Sequence, residues 1–444
     1  MRQLWETPGG VHPPENKVQS LKLGIGHLTI PQKLILPLVQ HIGDAAIPCV
    51  AIGDVVLKGQ KIASASGDLS APVHAPTSGV ISAIEDRPVA HPSGMSALCI
   101  EVTSDGEEHW IDLHGHAEYK QLSSQEVSHL IADAGVTGLG GAGFPSAAKL
   151  DNSRTRSIDT LIINATECEP YITADDILIR ERAAEIIQGI DVISHVLDMP
   201  RRVLIGIENN KKDAIDAFKK VTKNLDKIQV AALQVKYPQG GEKQLVRAIL
   251  NREVPKNGLP LDVGVVVNNV GTIFAIYEAI QHNKPLIERV VTVTGKKVEN
   301  ASNFWVKIGT PIKDLITEVG GLPEGTRKIV NGGPMMGKAI KNTDVPVTKG
   351  TSGILVVSED EASRGEPENC IRCGECVFVC PMGLEPHLLM NLSEKGLFER
   401  ASNEDIMTCI ECGSCSYVCP SNRPLLDFIR FGKNIVKKLE TSKN

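Results

Sequence analysis

A repeated cysteine run near the end of the chain constrains its fold more than any other feature. The segment CIRCGECVFVCP begins at residue 370, and CIECGSCSYVCP begins 39 residues further along, at residue 409. Both have the spacing C-x2-C-x2-C-x3-C-P, in which close thiolates surround one face of a [4Fe–4S] cubane and the fourth cysteine ligates the other run's cluster. The repeat therefore predicts a first and a second cysteine set, which are Cys370, Cys373, Cys376 and Cys419, and Cys409, Cys412, Cys415 and Cys380.

A pair of zinc sites is the alternative interpretation of these cysteines. Structural zinc usually takes two C-x2-C pairs with four ligands in all. Two complete runs of four, each closed by Cys-Pro, favour iron–sulfur clusters instead. The chain has eleven cysteines, and we expect the remaining three, Cys49, Cys99 and Cys168, to be buried free thiols.

Length and charge limit the remaining possibilities. A chain of 444 residues is too long for one core, so about three or four domains are expected. The net charge of −6 argues against a nucleic-acid-binding protein. The start, MRQLWETPGG, lacks the apolar core of a signal peptide, and no stretch approaches about 18 uninterrupted apolar residues. We therefore expect a chain in the cytosol or peripheral on the cytoplasmic face of a membrane.

A glycine-rich segment, GVTGLGGAGFPSAAKL, raises the possibility of a dinucleotide-binding loop. Gly138, Gly140 and Gly143 match G-x-G-x-x-G, but that fingerprint requires a preceding strand. The preceding residues predict a helix instead, because Ser123 and Glu126 have capping-box spacing and apolar residues recur at helical intervals. The segment is therefore not predicted to be a Rossmann loop.

The same glycine loop, residues 138–145, still has the features of an anion site. Glycine amides can approach an anion closely, and Pro145 suits the first turn of a helix whose N-terminus faces the loop. Lys149 adds a positive charge, and Phe144 can lie against a planar ring. Downstream, the apolar strand in TLIINATECEPY ends in polar groups, where open α/β sheets place ligands. A tight turn beside a solvated acidic loop is the alternative.

Four segments together resemble the flavin site of the NADH-oxidising flavoprotein subunit of respiratory complex I. They are GLGGAGFPSAAK, NATECEP, YPQGGEKQL and NNVGT. The resemblance implies that Phe144, Glu169 and Glu242 face NADH and have the catalytic role. It also implies non-covalent FMN bound by Gly138, Gly140, Gly141, Gly143, Lys149, Asn164, Glu167, Tyr237, Asn269 and Thr272. The chain departs from the family at Leu139, Thr166 and Asn152, which stand in place of an arginine, an aspartate and an aromatic residue.

The remaining segments complete a multidomain α/β and α+β architecture. We predict an N-terminal barrel-sandwich hybrid that resembles lipoyl domains but lacks a carrier lysine (residues 1–115), and a complex I flavoprotein-like α/β FMN domain (116–285). A β-grasp domain that resembles soluble-ligand-binding domains (286–345) and a two-cluster ferredoxin-like helical domain (346–444) follow. The strands LIINA, RVLIGIE, IQVAALQV, VGVVVNN and RVVTVTG are expected in one α/β sheet. The basic amphipathic tail either contacts lipid or a partner, or packs beneath the clusters.

This order of domains resembles the RnfC family, whose members belong to the Rnf electron-transport complexes. The resemblance implies an NADH/ferredoxin oxidoreductase subunit, in the translocase class, of a membrane-bound complex that couples electron transfer between ferredoxin and NAD to ion translocation. Its expected partners are NADH, integral and peripheral Rnf subunits and a ferredoxin-like carrier subunit. Two alternatives stay open, a soluble cobalamin (corrinoid) reductase and a non-catalytic electron-relay scaffold.

Overall fold

The computed structural model describes residues 4–91, 93–141, 143–153, 156–362 and 364–441. The N-terminal part forms two small antiparallel sheets, with strand orders β2-β8-β7-β4 and β3-β5-β6. Strand β1 belongs to a different, six-stranded sheet. Glycine turns separate these short strands, as the sequence predicts. The strands are β1 (Gly26–His27), β2 (Lys33–Pro37), β3 (Ile47–Pro48), β4 (Val55–Val56), β5 (Lys61–Ser64), β6 (Val73–His74), β7 (Gly79–Pro88) and β8 (Ser96–Ser104).

The middle of the chain is a four-stranded parallel sheet with order β11-β10-β9-β12. Its strands are continuous apolar runs because helices cover the sheet, as is usual for parallel sheets. Ser123 and Glu126 form the predicted capping box on α1. The elements are α1 (Ser124–Asp133), α2 (Ser146–Ser153), β9 (Thr160–Ala165), α3 (Ala174–Val196), β10 (Arg202–Glu208), α4 (Lys212–Thr222), β11 (Ile228–Leu233), α5 (Glu242–Leu250), β12 (Val265–Asn269) and α6 (Val270–His282).

A mixed six-stranded sheet follows, with order β1-β14-β13-β17-β15-β16. The strand RVVTVTG belongs to this sheet as β13, so the expectation that it joins the parallel sheet was wrong. The central strand β17 lies beyond residue 345, the predicted limit of the β-grasp domain; the division into four domains stays a prediction. The elements are β13 (Glu288–Thr294), β14 (Ser302–Lys307), α7 (Ile312–Glu318), β15 (Thr326–Asn331), β16 (Lys338–Ile340), β17 (Gly353–Ser358) and α8 (Glu359–Ala362).

The C-terminal part is helical, and its last helix packs against the protein. Leu425, Leu426, Ile429 and Val436 of α13 are buried, and α13 lies against α10. The structure thus favours packing over a free amphipathic tail. The helices are α9 (Glu375–Phe378), α10 (Pro386–Glu394), α11 (Phe398–Asn403), α12 (Ser414–Val418) and α13 (Leu425–Thr441).

One continuous apolar core joins the N-terminal sheets to the parallel sheet. It includes Val56 and Ile62 of the N-terminal strands together with Leu161 of β9, Ile186 of α3 and Ile273 of α6. Of the three cysteines outside the repeat, Cys99 is buried and Cys168 is partly buried, but Cys49 is exposed, which corrects the expectation for that thiol. In the part of the chain described, no helix is both long and apolar enough to cross a membrane.

The contact between α3 and α6 allows a test of this core. A Cβ atom on Gly189 would lie 2.3 Å from the carbonyl oxygen of Ile273. Gly189→Ala should therefore force the two helices apart and lower the free energy of unfolding by about 1–3 kcal/mol. Urea denaturation followed by circular dichroism measures this, with exposed Gln188→Ala as the neighbouring control. Equal stability of both variants would contradict the tight crossing.

Candidate functional site

The glycine loop lies at the carboxyl end of β12, next to Asn269. Its two ends are joined by a hydrogen bond from the Gly138 amide to the Phe144 carbonyl, 2.8 Å long. Gly141 has φ +118°, and a Cβ atom there would meet nothing within 4 Å, while Gly143 has φ +61°. Both Gly140 and Gly141 are exposed, so their backbone is open to a ligand. A cradle of this kind fits an anion such as the phosphate of FMN.

Asn269 and Thr272 hold this loop in place from the start of α6. The Asn269 side chain caps α6 by accepting from the amides of Gly271 and Thr272, at 2.9 and 3.3 Å. The Thr272 hydroxyl accepts from the Leu139 amide at 2.9 Å. A Cβ atom on Gly140 would lie 3.0 Å from that of Asn269, so the loop approaches the helix closely. These two residues, predicted to bind FMN, thus shape the loop.

Lys149 and Glu242 meet beside the loop. The Lys149 ammonium donates to the Glu242 carboxylate and to the Val267 carbonyl, both at 2.6 Å. Glu242 begins α5, and both side chains remain partly exposed. The structure therefore brings together a residue predicted for the flavin phosphate and a residue predicted for NADH.

The turn after β9, residues 166–172, contains the other predicted carboxylates, and we call it the acidic turn. The Glu167 carboxylate accepts from the amides of Asp175 and Asp176, at 2.7 and 3.3 Å, at the start of α3. Burial raises the pKa of Glu167 to about 8. Just before the turn, Asn164 donates to the Gly240 carbonyl at 2.8 Å and so joins β9 to the YPQGG segment.

Glu169 and Tyr237 point toward other parts of the chain. One Glu169 oxygen accepts from the amides of Met335 and Met336, at 2.6 and 3.0 Å, and burial raises its pKa. The Tyr237 hydroxyl donates to the Cys412 carbonyl at 2.7 Å. Their predicted roles toward nucleotide and flavin stay predictions, but both side chains already join the flavin region to neighbouring domains.

Several charged residues around this region were not predicted from the sequence. Lys17 donates to carbonyls of the acidic turn, and Lys211 donates to the Thr166 carbonyl at 3.0 Å. The buried Arg289 guanidinium donates to the Leu139 carbonyl at 3.3 Å. Asp175 accepts from the Asn269 amide group at 2.6 Å. These contacts join residues 45 to 155 positions apart, so no local pattern identifies them.

A cavity of about 320 Å³ lies near this region but does not coincide with it. Leu139, Asp175, Gly271 and Arg289 line one part of it, and Trp110, Phe274, Tyr277 and Trp305 are among the other lining residues. None of the residues predicted for the flavin site lines this cavity, although all of them are described. The chemistry of the glycine loop therefore identifies the candidate site better than cavity volume does.

The cysteines group as the repeat predicts. Burial raises the pKa of Cys376, with contributions from Cys419, Cys370 and Cys373. Burial raises the pKa of Cys415 to about 12, with contributions from Cys409, Cys412 and Cys380. Cys419 also lines one cavity together with Cys370, Cys373 and Cys376. The structure thus brings each predicted set together, and the ligation of clusters by these sets stays a prediction.

The space around these sets suits clusters. The first set lines a cavity of about 170 Å³. The four thiols and the cavity of the first set fit a [4Fe–4S] cluster held by four thiolates.

The two cysteine sets have different surroundings. Cys370 and Cys373 of the first set are exposed, and so are Ile371, which lies between them, and Phe378, which follows Cys376 by two residues. In the second set Cys412 and Cys415 are buried. Cys412 packs with Val11, Tyr237 and Val379 against the flavin region. The second set is therefore the inner one, and the first set opens to solvent.

Four family models match successive parts of the chain. Residues 5–107 match the RnfC barrel sandwich hybrid domain, and residues 131–278 match the Nuo51 FMN-binding domain. Residues 290–339 match the SLBB domain, and residues 362–421 match the 4Fe-4S dicluster domain. The predicted fold class, FMN domain and dicluster domain are thereby confirmed.

Whole-chain relatives give the same result. The RnfC protein of the ion-translocating oxidoreductase complex of Vibrio cholerae is 46% identical over 406 residues, which are 91% of this chain and 52% of that protein. The protein of the same name from Yersinia pestis is 45% identical over 439 residues, 99% of this chain and 70% of that protein. The chain therefore spans about half the length of the first relative.

Among solved structures, a chain of an NAD+-reducing [NiFe]-hydrogenase in the H2-reduced state is similar. The TM-score is 0.50 with 16% identity, over 71% of this chain and 63% of that chain. At this identity the similarity shows the fold alone.

The crossed grouping gives a direct prediction for Cys380. Cys380→Ala should damage the cluster of the second set, because Cys380 faces Cys409, Cys412 and Cys415. The first set should keep its cluster. Iron content and low-temperature EPR of the purified variant measure both. Loss of the first-set cluster with retention of the other would contradict the crossed ligation.

The position of Lys149 predicts its contribution to FMN binding. A charge-assisted contact contributes about 1.5–3 kcal/mol, so Lys149→Ala should weaken FMN binding about 10- to 150-fold. FMN titration of the flavin-depleted chain measures this. Lys243→Ala is the control, since the Lys243 ammonium donates to the carbonyls of Pro255 and Lys256 instead. Equal affinity of both variants would remove Lys149 from the site.

Proposed function

Because this chain belongs to the RnfC family of the ion-translocating oxidoreductase complexes, we propose that it exchanges electrons between NADH and a one-electron carrier. The exchange takes place within a membrane-bound complex that couples ferredoxin:NAD electron transfer to ion translocation. The chain lies peripherally on the cytoplasmic face, beside integral subunits and a ferredoxin-like carrier subunit. The observation that supports this most is the FMN domain and the dicluster domain in one chain.

The cofactors divide the chemistry between two sites. FMN held by the glycine loop and Lys149 would supply hydride exchange with NAD, and clusters held by the two cysteine sets would supply transfer of one electron at a time. The protein's part is to hold the flavin site and the cysteine sets at a fixed separation and to keep water away from the second cysteine set. Tyr237 supports this role, because its buried side chain joins the flavin region to the Cys412 carbonyl.

The surroundings of the two cysteine sets support a direction through the chain. The second set packs against the flavin region, whereas Cys370 and Cys373 of the first set are exposed. We therefore assign the second set to the flavin side and the first set to the partner side. Ile371 lines the cavity of the outer set and is 68% accessible, and Phe378, two residues after Cys376, is 81% accessible. Exposed apolar side chains of this kind suit contact with a carrier protein.

The nucleotide is proposed to bind beside the glycine loop. Phe144, at the end of the loop, is partly exposed and offers a ring face. Glu242 is partly exposed next to Lys149, and its carboxylate can accept hydrogen bonds from ribose hydroxyls. Glu169 is assigned to the same pocket, although one of its oxygens already accepts from two backbone amides.

Two measurements on purified protein test the proposal. Flavin analysis together with NADH-to-ferricyanide turnover should show bound FMN and activity, whereas a non-catalytic scaffold would show neither. Purification from gently solubilised membranes should recover integral subunits with this chain. Recovery of active chain entirely without them would favour the soluble corrinoid reductase instead.

Nucleotide choice provides a sharper prediction. A carboxylate that accepts from the ribose repels an additional 2′-phosphate, and such a desolvated like-charge contact costs several kcal/mol. NADH should therefore reduce the flavin much faster than NADPH, and Glu242→Gln should narrow the difference.

Stopped-flow bleaching of the flavin measures both rates. Glu253→Gln is the control, because Glu253 is 87% exposed on the loop after α5. Equal rates of flavin reduction by NADH and NADPH in the unmutated protein would show that Glu169 and Glu242 do not contact the ribose. A preference for NADH over NADPH that persists in Glu242→Gln would show that Glu242 does not select the nucleotide.

A further inference from the structure

The two copies of the cysteine repeat differ in charge at one equivalent position. Arg372 lies between the first two cysteines of one copy, and Glu411 lies at the same place in the other. Their φ angles are +58° and +59°, so the two backbones turn in the same way. Arg372 is exposed, whereas Glu411 is only 34% exposed and faces α13. The inner set thus has a carboxylate where the outer set has a guanidinium.

Two cations from α13 contact this carboxylate. Lys433 lies 3.0 Å from one Glu411 oxygen, and Arg430 donates to the other at 3.1 Å. The Lys433 ammonium also donates to the Cys409 carbonyl at 2.6 Å. All three side chains are mostly buried, so solvent screens their charges less than at an open surface. Together they leave one net positive charge beside the inner cysteine set.

We propose that Lys433, with Arg430, raises the reduction potential of the cluster bound by the second cysteine set. The inference rests on the cluster assignment in the proposed function. Adding an electron makes a thiolate-ligated cluster more negative, so a nearby cation favours the reduced form and a lone carboxylate opposes it. Amide donors act in the same direction, since Glu411 and Leu384 donate to the sulfurs of Cys409 and Cys380, both at 3.4 Å.

This arrangement has a consequence for the two otherwise similar sites. Without the α13 cations, Glu411 would lower the potential of the inner cluster and hinder its acceptance of electrons from the flavin side. With them, the inner site accepts electrons more readily. Lys433 and Arg430 are thus tuning residues that act through charge and through the Cys409 backbone, not ligands.

EPR-monitored redox titration of the cluster-loaded chain tests the proposal through opposite shifts. Lys433→Gln should lower the midpoint potential of one cluster signal and leave the other unchanged. Glu411→Gln, which keeps the backbone amide donor, should raise the potential of that same signal. Lys433→Arg should restore most of the unmutated value, because the positive charge is retained.

Two further variants identify the signals and exclude a general effect. Arg372→Gln should lower the potential of the other signal, which assigns that signal to the outer set. Lys437→Gln, at an exposed position of the same helix, should change neither potential. Iron content is measured first for every variant. If Lys433→Gln loses iron, the opposite shift in Glu411→Gln carries the test.

Failure of the tuning role and failure of the cluster assignment would give different results. Unchanged potentials in both Lys433→Gln and Glu411→Gln, with full iron content, would overturn the tuning role while leaving the cluster assignment intact. Equal shifts of both signals would overturn it too, since they would indicate a global effect. Unmutated protein that cannot be loaded with two clusters would contradict the proposed function itself.

Discussion

The position of the acidic turn depends on one buried ammonium group. The Lys17 side chain is 7% exposed and donates to the carbonyls of Glu167 and Glu169, at 2.8 and 2.9 Å, and to that of Ile172. A buried charge is costly unless it is fully hydrogen-bonded, so three converging carbonyls fix both the lysine and the turn. Burial lowers the pKa of Lys17 even so. The end of β9 is therefore shaped by the N-terminal segment rather than by its own sequence.

Other irregular segments near the site are also held by buried cationic side chains that donate to backbone carbonyls. Lys349 is buried and donates to the carbonyls of Pro72 and Gly135, at 2.9 and 2.7 Å, and burial lowers its pKa to about 7. The Arg289 guanidinium donates to the carbonyls of Leu139 and Lys349. Backbone carbonyls outside regular structure need donors when buried, and cations from distant segments supply them here. These contacts of Lys349 and Arg289 join the N-terminal barrel, the flavin domain and the β-grasp sheet next to the glycine loop.

Features that depend on residues close together in the sequence were predicted, whereas contacts between distant segments were not. The capping box of Ser123 and Glu126 follows from local spacing and appears in the structure. Local spacing likewise predicts the cysteine sets, and the structure brings Cys419 to the cavity of the first set. Lys17 acts about 150 residues away from its own position, where no periodicity connects it to the acidic turn. Strands β12 and β13 each contain three valines, so apolar content alone did not reveal that β13 lies in another sheet. Only the packed structure distinguishes such cases.

The joint between the inner cysteine set and the flavin region is built from backbone, which explains the two glycines near the start of the chain. A Cβ atom on Gly9 would lie 2.6 Å from the carbonyl carbon of Cys380, and the Gly10 amide donates to the Val379 carbonyl at 2.8 Å. Both glycines have positive φ, which side chains disfavour. The next residue, Val11, pairs with Tyr237 through two backbone hydrogen bonds. The backbone of residues 9–11 thus lies directly between Cys380 and Tyr237. Any side chain at residue 9 would push the second cysteine set away from the flavin region.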